Sequence, residues 1–274
     1  MDLTKPSEIR ELASQHGIVL TRLRGQHFLI DRGPLMSVAD SADLKKTDTV
    51  LEVGPGFGTL TRELAARAGR VVAVELDKRF LPVLDETVGE FPNVRIIHGD
   101  ILRLPPTCLP DRQATYSLPP DFKIVSNLPY GITSDFLWKT MAEWDPPPER
   151  LVLMLQREVG ERLAAKPPRM NLLAVMAQTF GTVELIRRVP PGSYLPPPKV
   201  ESAIILIIRH RKPFAEREAI LRLAKIGFSS PRKKIAGTLG KGMKDALLRA
   251  GIDPNSRPET LSLEQWRALS QPGA

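Results

Sequence analysis

The sequence contains a single cysteine, Cys108, and only four histidines. One cysteine cannot build a disulfide framework, and His16, His27, His98 and His210 lack the close spacing of metal ligands. No apolar run approaches the roughly 18 residues that a membrane-spanning helix needs. The first residues also lack the basic start and apolar stretch of a secretory signal. We therefore expect a cytoplasmic protein with no metal site and no membrane contact.

Acidic residues are outnumbered by Lys and Arg, 31 to 39, which gives a formal net charge of +8. The excess is concentrated in residues 209–249, which hold twelve Lys and Arg against three acidic residues. This basic block carries +9, so the rest of the chain carries about −1. A basic block on a near-neutral body is typical of a surface that contacts nucleic acid. A solubilising helical surface is the alternative that the composition leaves open.

From residue 49 onward, short apolar runs alternate with helical patterns. Five of these runs are almost continuously apolar, and they lie at 49–53, 71–74, 94–97, 122–125 and 151–155. Such runs, separated by helices, predict a mostly parallel sheet that is covered on both faces. Two further strands are predicted at 182–186 and 203–208, with a proline-rich loop between them.

The pattern predicts two domains. Residues 103–121, rich in proline and polar residues, indicate a loop, and residues 157–180 are helical in pattern. After residue 209 the pattern becomes entirely helical. We therefore expect an α/β domain over residues 1–210 and a small helical, basic domain over residues 211–274.

Ligands of an open α/β sheet bind beyond the carboxyl ends of its strands. The first strand leads into Glu52-Val53-Gly54-Pro55-Gly56-Phe57-Gly58, a glycine-rich turn that allows a close approach to the backbone. A nicotinamide fingerprint would need a glycine at Thr59, so the spacing disfavours a dehydrogenase. Glu75 follows the second strand, where a carboxylate can accept ribose hydroxyls. After the third strand, Asp100 could accept a hydrogen bond from an adenine amino group, with Ile101 against the ring.

Asn127-Leu128-Pro129-Tyr130 follows the fourth strand. The side-chain oxygen of Asn127 and the backbone carbonyl of Leu128 are acceptors suited to the two N6 hydrogens of an adenine. Pro129 stiffens this pair of acceptors, because it fixes φ and donates no hydrogen bond. Tyr130 offers a ring on which the base can stack. Taken alone, the segment is equally consistent with an ordinary turn that carries a surface tyrosine.

At these residues the sequence resembles the ribosomal RNA adenine N6,N6-dimethyltransferase family. The order and spacing of the shared segments agree over about residues 20–210. These segments are Gly25-Gln26-His27-Phe28-Leu29, Glu52-Val53-Gly54-Pro55-Gly56, Glu75-Leu76-Asp77, Gly99-Asp100, Asn127-Leu128-Pro129-Tyr130 and Pro196-Pro197-Pro198-Lys199-Val200-Glu201-Ser202.

The resemblance implies an α/β fold, namely a Rossmann-like class I methyltransferase sheet of seven strands, one antiparallel, with a small all-helical C-terminal domain. It implies S-adenosyl-L-methionine as the methyl donor and dimethylation of N6 on two adjacent adenosines. These would lie in the 3′-terminal hairpin of 16S rRNA, within the 30S subunit or its assembly precursor. The enzyme is expected to act as a monomer.

The resemblance also implies residue roles. Cofactor contacts fall on His27, Leu29, Gly54, Gly56, Glu75, Asp100, Ile101 and Asn127. The target adenine would be held by Asn127, Leu128, Pro129 and Tyr130, with Phe28 lining the pocket and Tyr194 stacking on the base. RNA contacts fall on Lys199, Arg232, Lys233 and Lys234.

The chain departs from the family pattern at several positions. His27 stands where many relatives have Asn, and Tyr194 stands where they often have Phe. In the basic block, relatives commonly show Phe-x-x-Arg-Arg-Lys followed by Asn, whereas this chain has Phe228-Ser229-Ser230-Pro231-Arg232-Lys233-Lys234 with Gly237 near the expected Asn.

Three other functions stay open at this point. A macrolide-resistance enzyme that methylates adenine N6 in 23S rRNA has a similar Asn-x-Pro-Tyr turn, although Pro196 to Ser202 and the basic block favour the small-subunit enzyme. A DNA adenine methyltransferase is disfavoured by the segment from Gly25 to Leu29. The third is a mainly non-catalytic factor of ribosome assembly.

Overall fold

The computed structural model describes residues 1–21, 26–106, 109–110 and 115–271. Gly25 and Cys108, which the sequence predictions mention, lie outside these described residues. The chain forms two compact units. The first comprises residues 1–160 and 184–208, and the second comprises residues 161–183 and 209–274. No helix among the described residues is long and apolar enough to cross a membrane.

Helices and strands alternate through the first unit. Its helices are α1 (Pro6–Gln15), α2 (Arg32–Ser41), α3 (Thr59–Arg67), α4 (Leu81–Val88), α5 (Thr133–Trp138) and the start of α6 (Arg157–Leu163). The strands are β1 (Phe28–Leu29), β2 (Thr49–Val53), β3 (Arg70–Glu75), β4 (Val94–His98), β5 (Leu109–Pro110), β6 (Thr115–Tyr116), β7 (Lys123–Asn127), β8 (Arg150–Gln156), β9 (Gly181–Val189), β10 (Tyr194–Leu195) and β11 (Ser202–Arg209).

Seven strands form the main sheet, in the order β4-β3-β2-β7-β8-β11-β9. Neighbouring strands from β4 to β8 are parallel, and β11 is antiparallel to β8. This sheet confirms the predicted class I methyltransferase architecture. The strand order reverses beside β2, because the chain places β3 and β4 on one side and β7 on the other. A crevice at the carboxyl ends of β2 and β7 is the expected ligand site of such a sheet.

The central strands form the core because their residues are apolar at successive positions. Val50, Leu51, Ile124, Val125 and Val152 are all fully buried. Side chains alternate between the two faces of a strand, so burial of consecutive residues requires cover on both faces of the sheet. The helical segments between the strands supply this cover.

The second unit is helical, with α7 (Leu172–Phe180), α8 (Arg217–Phe228), α9 (Ile235–Leu239), α10 (Lys244–Arg249) and α11 (Leu263–Ser270). Its core surrounds the fully buried Trp266, which packs among Ile220, Ile235 and Leu247. A Cβ on Gly227 would lie 2.5 Å from Cη2 of Trp266, so only glycine lets α8 approach the indole this closely. This unit confirms the predicted helical C-terminal region.

The predicted domain boundary at residue 210 needs one correction. The chain does change units at residues 208–209, but residues 161–183 also belong to the second unit. The reason is that α7 contributes Ala174 and Val175 to the core around Trp266. The segment 157–180, predicted to be helical, forms the two helices α6 and α7, since the consecutive prolines at 167 and 168 cannot continue a helix.

Candidate active site

Two glycines shape the turn after β2. Gly54 and Gly56 have φ angles of +68° and +57°, a region that glycine adopts at little cost. A Cβ on Gly56 would lie 2.9 Å from the Phe28 ring, and one on Gly54 would lie 3.2 Å from Cγ of Pro129. Backbone conformation and the close approach of two predicted site residues therefore both require glycine here.

Glu75 lies at the carboxyl end of β3, where only 6% of it is exposed. Its Oε2 accepts a hydrogen bond from the Gly56 N–H at 3.2 Å, and its Oε1 accepts one from the Asp77 N–H at 2.9 Å. Burial raises the pKa of Glu75, and these backbone hydrogen bonds oppose that rise. Each carboxylate oxygen has a second lone pair. Glu75 can therefore accept further hydrogen bonds from hydroxyl groups in the crevice.

Asn127 ends β7 on the opposite side of β2. Its Nδ2 donates to the backbone carbonyl of His27 at 3.0 Å, which fixes the plane of the amide. The Leu128 N–H donates to the Met154 carbonyl at 2.9 Å, but no turn or loop hydrogen bond of the described residues uses the Leu128 carbonyl. The turn thus holds two oxygen acceptors, Asn127 Oδ1 and the Leu128 carbonyl, on a rigid strand end.

Tyr130 is held from two sides. Its hydroxyl is 2.6 Å from Oγ of Ser202, and its ring centroid is 5.7 Å from that of His27, with a tilt of 37°. Nδ1 of His27 lies 2.8 Å from the Pro196 carbonyl, so this nitrogen carries the hydrogen and donates it. Burial raises the pKa of Tyr130, which keeps its hydroxyl protonated at neutral pH. The two rings form a fixed wall beside the Asn127 turn.

A cavity of about 630 Å³ lies at the carboxyl ends of β2, β3 and β7. This volume is within the roughly 300–1,000 Å³ of ordinary small-molecule sites. It brings together nine predicted site residues: His27, Phe28, Gly54, Gly56, Glu75, Asn127, Leu128, Pro129 and Tyr130. Their convergence comes from the topology, because the residues lie far apart in the sequence.

The cavity is also lined by residues for which the sequence pattern assigns no role, including Leu76 and Asp77. Leu76 is 64% exposed although it is apolar. An exposed leucine beside a buried acid offers a flat apolar surface to the ring of a ligand. The hydrogen bond from the Arg79 side chain holds the pKa of Asp77 at about 2, so Asp77 is ionised at neutral pH. The motif Glu75-Leu76-Asp77 was the only sequence signal for both residues.

Asp100 and Ile101 do not line this cavity. Asp100 Oδ1 accepts from the Leu102 N–H at 2.9 Å, and its Oδ2 lies 3.4 Å from Nε of Arg103. Local partners therefore occupy this carboxylate, and Ile101 is buried in the protein. The cofactor contacts of Asp100 and Ile101 stay predictions.

Leu29 and Tyr194 are also absent from the lining of this cavity, and they pair with each other between β1 and β10. Tyr194 is only 2% exposed, and its ring lies in the core of the sheet with Val38 and Met154. Its buried hydroxyl interacts with the hydroxyls of Tyr130 and Ser202, but without a hydrogen bond of ordinary geometry among the described residues. Burial raises the pKa of this phenol. The structure brings Tyr130 to the cavity but not Tyr194, so the stacking role of Tyr194 stays a prediction.

The residues predicted to contact RNA are exposed. Lys199 lines a smaller cavity in the first unit. Arg232, Lys233 and Lys234 precede α9 in the second unit, where Lys234 Nζ donates to Asn255 Oδ1 at 2.9 Å. Within the described ranges, no group of three or more His, Cys, Asp or Glu residues could hold a metal ion.

The fold and the cavity together define a class of enzyme. A glycine turn follows β2, a buried acid follows β3 and an acceptor turn follows β7, all around one cavity at the point where the strand order reverses. The residues present fit a nucleoside ligand: Glu75 offers lone pairs to its ribose, and the glycine turn leaves room that a Cβ would fill. The protein is an S-adenosylmethionine-dependent class I methyltransferase.

The particular family follows from comparison with known proteins. A family model described as "Ribosomal RNA adenine dimethylase" matches residues 21–271, so the chain belongs to the ribosomal RNA adenine dimethylase family. The "Ribosomal RNA small subunit methyltransferase A" of Dehalococcoides mccartyi (strain CBDB1) is 40% identical to it, over 96% of this chain and 91% of that protein. The protein of the same name from Geobacillus sp. (strain WCH70) is 36% identical, over 98% and 97%.

Solved structures agree with this assignment. The 23S rRNA methyltransferase ErmE is 30% identical with a TM-score of 0.73, over 89% of this chain and 98% of that one. A dimethyladenosine transferase from Plasmodium falciparum has a TM-score of 0.75 at 24% identity, over 89% and 96%, which shows the shared fold alone. The predicted family, fold and methyl donor are confirmed.

Proposed function

We propose that this enzyme dimethylates N6 of two adjacent adenosines in the 3′-terminal hairpin of 16S rRNA, within the 30S subunit or its assembly precursor. Support for the small subunit comes from the names of relatives that are 36% and 40% identical over nearly the whole chain. The observation that carries the chemistry is the Asn127 amide, whose Nδ2 is bound to the His27 carbonyl while its Oδ1 remains an acceptor in the cavity. In this proposal the protein works as a monomer in the cytoplasm.

The methyl donor would be held on the β2 and β3 side of the cavity. Glu75 would accept its ribose hydroxyls, Leu76 would contact its adenine ring, and the turn through Gly54 and Gly56 would accommodate the rest. When bound, S-adenosylmethionine supplies a methyl group that is already activated on a sulfonium, so the transfer needs no metal. The protein's own contribution is to align the acceptor nitrogen with this group.

Adenine N6 is a poor nucleophile because its lone pair is delocalised into the ring. Asn127 Oδ1 and the Leu128 carbonyl would each accept one N6 hydrogen, which favours a pyramidal nitrogen and exposes the lone pair. Alignment of this kind can supply up to roughly 7–11 kcal/mol in well-oriented reactions. No strong base is needed, since the proton can leave after the nitrogen has become cationic.

The target base must leave its stack to reach the cavity, at a cost of about a few kcal/mol that is smallest in a loop. Tyr130, which Ser202 holds in place, would offer one stacking face. The proposal that Tyr194 offers the other face requires its ring to leave the core when RNA binds, since it is buried in the structure. The basic block would supply affinity for the phosphates, chiefly through exposed side chains such as Arg232 and Lys233.

The second candidate is methylation of 23S rRNA, which the likeness to ErmE favours. Separate reactions with purified 30S and 50S subunits, both lacking the respective modification, and a labelled methyl donor decide between the two. We expect label in 16S rRNA alone, and label confined to 23S rRNA would overturn the proposal. An assembly role in addition to catalysis would be shown by an inactive variant that still binds the assembling small subunit and blocks its maturation.

A further inference from the structure

A second cavity, of about 310 Å³, shares the walls formed by His27 and Tyr130 with the active-site cavity. Its remaining lining residues are Gln156, Pro198, Lys199 and Val200. We propose that this cavity binds the base of the nucleotide next to the target adenosine, and that Gln156 recognises that base as adenine. The inference rests on the proposed function, because it names the second nucleotide that the same site takes.

The walls of the second cavity are fixed before any ligand binds. The hydroxyl of Tyr130 is bound to Ser202 at one end of the segment 198–202. The Arg157 N–H donates to the Glu201 carbonyl at 2.9 Å, and Nη1 of Arg157 donates to Oε2 of Glu201 at 2.8 Å. A cavity that needs little reordering is suited to selective binding, since ordering of its walls would reduce affinity.

Gln156 has the chemistry to recognise adenine. It is the last residue of β8 and lies opposite Ser202 in the ladder with β11, so its backbone is held on a rigid strand. Its side-chain amide makes no hydrogen bond to any described residue, which leaves a carbonyl acceptor and an NH₂ donor available. Adenine presents an N6 donor beside the N7 acceptor, and glutamine can bind both at once. Guanine presents O6 in place of that donor, so its oxygen would face the glutamine carbonyl.

The other lining residues suit a nucleotide. Val200 is apolar yet 46% exposed, and it can contact the face of a base or a sugar. Lys199 is exposed and has no ion pair among the described residues, so it can approach a phosphate. A volume of about 310 Å³ is at the lower end of small-molecule sites, which fits one base rather than a longer segment. The walls shared with the active site favour the nucleotide adjacent to the target.

A double-mutant cycle tests the proposal. Gln156→Ala is combined with 30S subunits in which either of the two adjacent adenosines is replaced by guanosine, so that one target and one altered neighbour remain. With the native enzyme, we expect at least one replacement to lower kcat/KM on the remaining adenosine by about 5- to 150-fold. With Gln156→Ala, we expect a similar loss on the unaltered subunit and no further loss on the altered one.

Two further variants serve as controls, one for poor folding and one for the loss of an amide elsewhere on the protein. Gln156→Met keeps the length of the side chain but lacks the amide, so it should reproduce the result if Gln156→Ala folds poorly. Gln15→Ala removes an exposed amide on α1, whose side chain bonds Glu11 at 3.4 Å, and it should keep the native preference. An unaltered preference in both Gln156 variants, or losses that multiply independently, would overturn the inference.

Failure of the inference and failure of the proposed function have different signatures. Methylation of the unaltered subunit without any dependence on the neighbouring base would overturn the inference alone. No methyl transfer by the native enzyme to either adenosine of the unaltered subunit would overturn the proposed function and the inference with it.

Discussion

Asn127→Ala should separate binding of the methyl donor from transfer of the methyl group. The alanine removes the amide that binds the His27 carbonyl at 3.0 Å, and it removes the Oδ1 acceptor beside the Leu128 carbonyl. The residues proposed to hold most of the donor, Glu75 and Gly56, lie on the other side of the cavity and keep their mutual hydrogen bond. We therefore expect donor affinity to stay within a few-fold of the native value.

The expected loss of turnover follows from the charge that develops on the acceptor nitrogen. A hydrogen bond in which one partner is charged contributes about 1.5–3 kcal/mol. Each 1.36 kcal/mol changes a rate tenfold, so kcat should fall by about 10- to 150-fold. Loss of the neutral bond to His27 should lower the free energy of unfolding by about 0.5–1.5 kcal/mol.

Single-turnover methyl transfer to unmethylated 30S subunits measures the rate, and calorimetric titration with S-adenosylhomocysteine measures cofactor affinity. Asn93→Ala is the matched control: the Asn93 amide donates to the carbonyls of Ala65 and Ala68 at 2.9 and 3.1 Å, and Asn93 does not line the cavity. The control should lose stability but keep its turnover. Near-native turnover of Asn127→Ala would refute the reasoning, as would a loss confined to cofactor affinity.

Gly56→Ala should weaken S-adenosylhomocysteine binding in calorimetry, because its Cβ would lie 2.9 Å from the Phe28 ring. Gly17→Ala is the control: Gly17 also has a positive φ of +63°, but its Cβ would meet no atom within 4 Å, so this change should lower stability alone. Burial raises the pKa of Glu52 from an ordinary 4.5 to about 8. The folded protein therefore keeps a proton that the unfolded chain loses, so the free energy of unfolding should fall as pH rises from 4.5 to 8. This fall should reach about 1.4 kcal/mol per pH unit, and Glu52→Gln should remove it in urea unfolding. Neutralising residues 232–234 together should reduce the slope of log affinity for RNA against log salt concentration by about two. An unchanged slope would show that this segment does not contact the RNA.

Much of the first unit could be predicted because buried parallel strands have a clear sequence signature. The continuous apolar runs at β2, β3, β7 and β8 indicated the sheet. Their carboxyl ends had to meet along one edge, so the convergence of Gly54, Glu75 and Asn127 on one cavity followed from topology.

The burial of Tyr194 could not be predicted from the sequence. Its place depends on pairing between β1 and β10, strands of two residues each. Two residues are too few to show a period, and the partners are more than 160 positions apart in the sequence. The pairing places the ring in the core rather than in the cavity. A sequence motif can name this residue but cannot predict its exposure.

Hydrogen-bond and ion-pair partners close in the sequence hold the Asp100 carboxylate. The motif places it after β4, at the edge of the sheet where ligands bind, but its carboxylate is bound by Leu102 and Arg103 within three residues. Leu76 is the opposite case, since a leucine after a buried strand is ordinarily expected to be buried. Only its 64% exposure beside Glu75 indicates a ligand contact.

The sequence pattern also could not predict how the chain divides into its two units. Residues 161–183 precede the last strands of the sheet, yet α7 completes the core around Trp266. This membership depends on which apolar face α7 buries, and a helix that is apolar over most of its surface does not reveal that choice.

The most direct test of the proposed function is nucleoside mass spectrometry of 16S rRNA, taken from unmethylated 30S subunits after reaction with this enzyme and S-adenosylmethionine. We predict two N6,N6-dimethyladenosines per molecule of rRNA, at neighbouring positions in the 3′-terminal hairpin. Methyl groups at another position, or none on 16S rRNA under conditions in which 23S rRNA is methylated, would contradict this prediction.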